Sequence, residues 1–170
     1  MHMKIFGKIA GLLILVWLTW LACTTPWVPM VDNANLIFHE AGHVLFSLFG
    51  ELLYFAGGSL FQILLPLLLI IPFLQKQDLF SATLMLWWTG ENMIGVGRYI
   101  ADARAQQLVL LGGEHDWAVI LSRFPHIMQC DTLIGAIVRD VGITIMIGAI
   151  VLGILLVARE KKSTEKFLSP

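Results

Sequence analysis

One cluster of residues in this chain has types and spacing suited to chemistry: His39-Glu40-Ala41-Gly42-His43. On an α-helix, residues four apart share one face and sit about 6 Å apart along the axis. Two imidazoles placed in that way can bind one Zn²⁺ at about 2.0–2.1 Å each. Glu40, one residue past His39, flanks such an ion and does not ligate it. It is the expected catalytic residue. A carboxylate there can take a proton from a water whose pKa the metal lowers to about 7, and later pass it to a leaving amine. Ala41 and Gly42 are small and let a second helix or a substrate come close. With five His and six Glu in 170 residues, chance produces the pattern in roughly one such chain in 200, so coincidence is a poor account. The bland alternative is a pair of buried, hydrogen-bonded histidines. It places three ionisable groups in an apolar helix with no chemical return.

The elements that must position these residues belong to a chain suited to lipid. Hydrophobic residues make up 58% and charged residues 14%, with a mean hydropathy of +0.81, whereas a soluble domain is nearer half apolar and a quarter charged. A chain of this length has no core large enough to hide the excess. The expected fold class is therefore all-α, a polytopic membrane helical bundle. The net charge is −1 and there is no basic patch, which argues against nucleic acid as a partner. Cys23 and Cys130 supply neither a disulfide framework nor a metal-binding pair.

Four stretches reach the roughly 20 apolar residues that a bilayer crossing needs. They are Ile9–Thr25, Phe55–Leu74, Leu79–Gly97 (which carries Glu91) and Val141–Ala158. The first is expected to be an uncleaved anchor, because it lacks a small-x-small cleavage site and Trp20-Leu21-Ala22-Cys23 fits a lipoprotein site poorly. Lys4 and Lys8 place the N-terminus in the cytoplasm; Arg159, Lys161, Lys162 and Lys166 place the C-terminus there too. The crossings must then be even in number. Val31–Phe49, which bears Asp32, Asn33, Asn35, His39, Glu40 and His43, is accordingly expected to be partly buried or re-entrant. It would lie on the outer side, with the residues from about 98 to 131. Gly112-Gly113 should break the chain before a short surface helix within Trp117–Met128, N-capped by Asp116. Arg139-Asp140 should mark a membrane boundary. The organisation is one membrane domain, residues 1–160, and a charged unstructured cytoplasmic tail, 161–170. No internal repeat is evident.

The motif at His39–His43 resembles the metal-binding helix of the membrane-embedded zinc metalloproteases of the site-2 protease type. Phe55-Ala56-Gly57-Gly58-Ser59-Leu60-Phe61-Gln62 resembles the start of their next span. The likeness covers roughly residues 36 to 104, and the usual Asp-Gly signature of the later span is absent. The resemblance implies a zinc cofactor, a membrane-anchored peptide or protein substrate and a location in the bacterial inner membrane.

A catalytic zinc site takes three protein ligands and keeps one position open. Asp102, just past the third span, is the expected third ligand, since those families draw theirs from a comparable place. The alternative role for Asp102 is an ion pair with Arg98. His115 is an alternate on a glycine-hinged loop, with Asp116 as its partner or itself a ligand. Glu91, mid-span, is the last alternate. The expected activity is zinc-dependent hydrolysis of a peptide bond within or near the bilayer. The rival readings are a non-catalytic metal-binding or partner-binding membrane protein, and an ion or proton pathway lined by Glu91, Arg98 and Asp102.

Overall fold

The computed structural model describes residues 2–110 and 113–168, with side chains over 5–110 and 113–163. Seven α-helices follow in order: α1 (His2–Thr24), α2 (Pro29–Phe46), α3 (Glu51–Gln75), α4 (Leu79–Ala101), α5 (Asp116–Ser122), α6 (Pro125–Met128) and α7 (Asp131–Leu168). A 3₁₀ turn, Ser47–Phe49, joins α2 to α3. The described residues contain no strand. Among the described residues, three helical segments are long and apolar enough to cross a membrane: Ile5–Thr24, Glu51–Gln75 and Asp131–Ser163. The sequence led to four. The remaining one, α4, is long enough but less apolar, and it buries Thr83, Thr89, Glu91 and Asn92 along with its apolar residues.

Contacts along the helices fix their directions. Trp87 Nε1 donates to Thr19 Oγ1 at 2.8 Å, and farther along both helices Arg98 donates to the carbonyls of Ala22 and Pro26. Helices α1 and α4 are therefore parallel. Gly90 meets Gly142 and Gly97 meets Gly135, so α7 runs against α4. A Cβ on Gly97 would lie 2.6 Å from the Gly135 carbonyl. Only glycine permits that approach, a packing typical of helices that lack a hydrophobic drive between them. Lys8 pairs with Glu160 at 2.6 Å, which fixes α1 against α7. Helix α3 reverses into α4 through residues 76–78, where Asp78 caps α4 by accepting from Ser81 N.

Helix α2 begins with Pro29 at its first turn, where a missing N–H costs nothing, and the chain reverses at Gly50, whose φ of 95° suits glycine alone. It packs antiparallel on α3 with Gly42 against Gly57. Its faces are inverted relative to a soluble amphipathic helix. Asp32, Asn35, His39 and Gly42 are buried, while Met30, Ile37 and Val44 are 88%, 68% and 73% exposed. A polar inward face and an apolar outward face suit a helix beside lipid.

Two local expectations change. Asp116 is the first residue of α5 and not its cap; His115 occupies the cap position, and its ring accepts from Ala118 N. Arg139-Asp140 lies within α7, which begins at Asp131, and the two side chains are joined at 2.9 Å. The tail expected to be unstructured continues α7 to Leu168. Gly113 has a φ of 78°. Leu111, Gly112, Ser169 and Pro170 lie outside the described residues.

Candidate metal centre

His39 and His43 project from one face of α2, their ring centroids 4.9 Å apart. Asp116, at the start of α5, meets both. Its Oδ2 lies 2.9 Å from His39 Nε2 and 3.2 Å from His43 Nε2. One ligand atom from each of the three residues falls within 4.8 Å of the others, a spacing that could hold one metal ion.

The far side of each ring is tied as well. His39 Nδ1 lies 3.2 Å from Gln62 Oε1, and His43 Nδ1 lies 2.8 Å from the Tyr54 carbonyl. Both partners are acceptors, so the Nδ1–H form of each ring donates to them. Each Nε2 then faces Asp116 Oδ2 at the centre. Metal-binding histidines are commonly oriented in this way. The local sequence of α3 makes the arrangement possible. Gly58 offers no side chain where His39 lies, and a Cβ there would come within 2.5 Å of Nε2. Gln62, one helical turn deeper, supplies the acceptor.

Helix α5 has seven residues and depends on its neighbours for its place. Asp116 N donates to the Tyr99 hydroxyl at 3.0 Å, Trp117 Nε1 donates to Ser59 Oγ at 3.0 Å, and Arg123 pairs with Glu51 at 2.7 Å. Burial acts to raise the Asp116 pKa, but the bonds to His39 and His43 outweigh it and hold the carboxyl below its ordinary range. Burial pushes the His115 imidazole below the usual histidine range, against the opposing charge of Asp102.

The residues singled out in the sequence separate clearly. His39, His43 and Asp116 are brought together. Glu40 is exposed beside them and close enough for its charge to act on His43 and Tyr99. Asp102 is not at the centre. It accepts from the backbone N–H groups of Gln107 at 2.9 Å and Leu108 at 3.0 Å, and its Oδ2 faces His115 Nε2 at 3.4 Å. The supposed pairing of Asp102 with Arg98 is replaced by Arg98 bonding the α1 and loop carbonyls. His115 caps α5. Glu91 lies along α2 from the centre, accepting from Asn35 Nδ2 at 2.6 Å, while Asn35 Oδ1 accepts from Trp88 Nε1 at 2.8 Å. Arg98 and Asp102 hydrogen-bond to different partners, while Arg98 is close enough for its charge to act on Glu91 and Asp32.

Sequence reasoning missed Gln62, Tyr54 and Tyr99 as supports. The available signal for Gln62 was a lone amide in an apolar helix. The Tyr54 contribution is a backbone carbonyl and carried no signal. Comparison with protein-family models, curated proteins and solved structures finds no match to this chain.

Proposed function

We propose that the chain is an integral membrane zinc hydrolase that cleaves a peptide bond within or near the bilayer. The observation that carries this reading is the convergence of His39, His43 and Asp116, with both Nδ1 atoms already engaged by Gln62 and Tyr54. Two imidazoles and one carboxylate suit zinc and leave a fourth position open. Zinc bound there would polarise a scissile carbonyl and make a water acidic. Glu40, next to these residues and free of any hydrogen bond or ion pair among the described residues, would be the group to take a proton from such a water and return it to a leaving amine.

In this reading the chain crosses four times, through α1, α3, α4 and α7. Helices α1 and α4 run one way and α3 and α7 the other, so α2 must return to the side on which it starts. The basic residues near both termini put those ends in the cytoplasm. The metal centre then opens to the outer side, where α5 closes over the start of α3.

The test uses detergent-purified protein, zinc analysis and a mixture of internally quenched peptides. Wild type should hold zinc and cleave. Glu40→Gln should keep its zinc and lose roughly 10²–10⁴-fold in rate, the usual worth of a general base. Zinc without cleavage in wild type would favour the non-catalytic metal-binding reading, and a Glu40→Gln variant as active as wild type would remove Glu40 from the chemistry.

A further inference from the structure

His115 and Asp102, both rivals for the third ligand position, make contacts that neither a ligand nor a lone helix cap explains. His115 Nδ1 accepts from Ala118 N at 3.3 Å. In the neutral ring the proton must then sit on Nε2. That nitrogen is enclosed, with the side chain 1% exposed, and has no hydrogen-bond partner among the described residues. The charge it faces is Asp102 Oδ2 at 3.4 Å. Asp102 is itself fixed by the two backbone N–H groups of Gln107 and Leu108. The His115 ring also lies on Tyr99, with centroids 4.2 Å apart, and Tyr99 accepts from the backbone of Asp116.

We propose that Asp102 and His115 act as one positioning unit, which seats the N-terminus of α5 so that Asp116 meets the two histidines. The inference rests on the metal reading above and assigns these two residues to affinity without contact with the ion. The need for such a unit follows from chain length. The connection from α4 to α5 is long, α5 has only seven residues, and neither can fix a carboxylate by itself. Asp102 ends the rigid helix α4, and His115 is the residue next to the ligand. Their facing contact spans the intervening loop and shortens the free path to Asp116.

The test is a double-mutant cycle on zinc affinity, read by chelator competition, with the visible spectrum of the cobalt-loaded protein as the second readout. Asp102→Asn and His115→Ala should each raise the zinc Kd about 10–100-fold, the range for residues that orient a ligand. The double variant should be no more than about threefold worse than the weaker single, because both changes break one unit. At saturating cobalt every variant should give the wild-type spectrum, since the ligand set is unchanged. His115→Asn restores a capping oxygen but cannot reach Asp102. It should behave like His115→Ala, and wild-type affinity in it would reduce His115 to a cap and overturn the proposal. Full affinity in Asp102→Asn, additive losses in the double variant, or an altered cobalt spectrum at saturation would each overturn it as well. If His115→Ala loses helix by circular dichroism, Asp102→Asn and His115→Asn carry the test. A wild type that binds no metal defeats the metal reading and this inference with it. A wild type that binds, with variants that match it, defeats the inference alone.

Discussion

Gly58→Ala adds one methyl group where α3 passes against the His39 ring. In most helix interiors glycine to alanine is stabilising by about 0.5–1 kcal/mol. Here the new Cβ would lie 2.5 Å from His39 Nε2, 2.7 Å from Cε1 and 2.8 Å from Cδ2. Ordinary contact begins at 3.4 Å, so the ring must withdraw by about 0.9 Å. It has little room to do so. Gln62 holds Nδ1, and lifting α2 would open the close Gly42–Gly57 packing against α3. Ligand distances in metal sites tolerate only about ±0.2 Å. The expected result is a zinc affinity more than about 100-fold weaker, beyond the loss from disturbing an orienting residue, together with about 1–3 kcal/mol of destabilisation from overpacking. Gly148→Ala is the control, since its added methyl meets nothing within 4 Å. Chelator competition in detergent reads the affinity and thermal melting reads the stability. Wild-type zinc affinity in Gly58→Ala would refute the placement of His39 Nε2 at the centre.

Gln62→Leu removes the acceptor for His39 Nδ1 and should raise the zinc Kd about 10–100-fold; an unchanged Kd would mean that packing alone orients the ring. Trp117→Phe deletes the indole bond to Ser59 and about 1 kcal/mol of α5 docking, so zinc affinity should fall about fivefold, and no change would show that α5 docks independently of this bond. Reporter fusions after Gln77 and at the C-terminus should read cytoplasmic, and a fusion at Glu114 external. A cytoplasmic signal at Glu114 would make α2 a crossing helix and end the four-span reading.

The half of the candidate site that is local was legible. His39 and His43 are one helical turn apart, so periodicity alone puts them on one face, and the polar residues of α2 signalled a helix unlike a simple span. The turn between α3 and α4 was equally plain. The third member of the group depends on the path of a loop, and no local pattern encodes that path. Asp102 and Asp116 both precede or follow apolar helices by similar signs. An Asp at the start of a short helix reads as a cap, a role that His115 in fact takes. Glu91 within α4 could be read, but not that α1, α3 and α7 pack around that helix. The continuation of α7 beyond Ala158 was hidden because its charged residues have no apolar stripe.

Whether His39, His43 and Asp116 together hold one metal ion is tested most directly by metal content. Protein expressed with added zinc, purified in detergent and dialysed against buffer without chelator should hold about one zinc per chain. His39→Ala, His43→Ala and Asp116→Ala should each lose most of it while keeping their helix content, and Glu40→Gln should keep it. Zinc-free wild type that takes up none on titration, or Asp116→Ala that retains full zinc, would contradict the account.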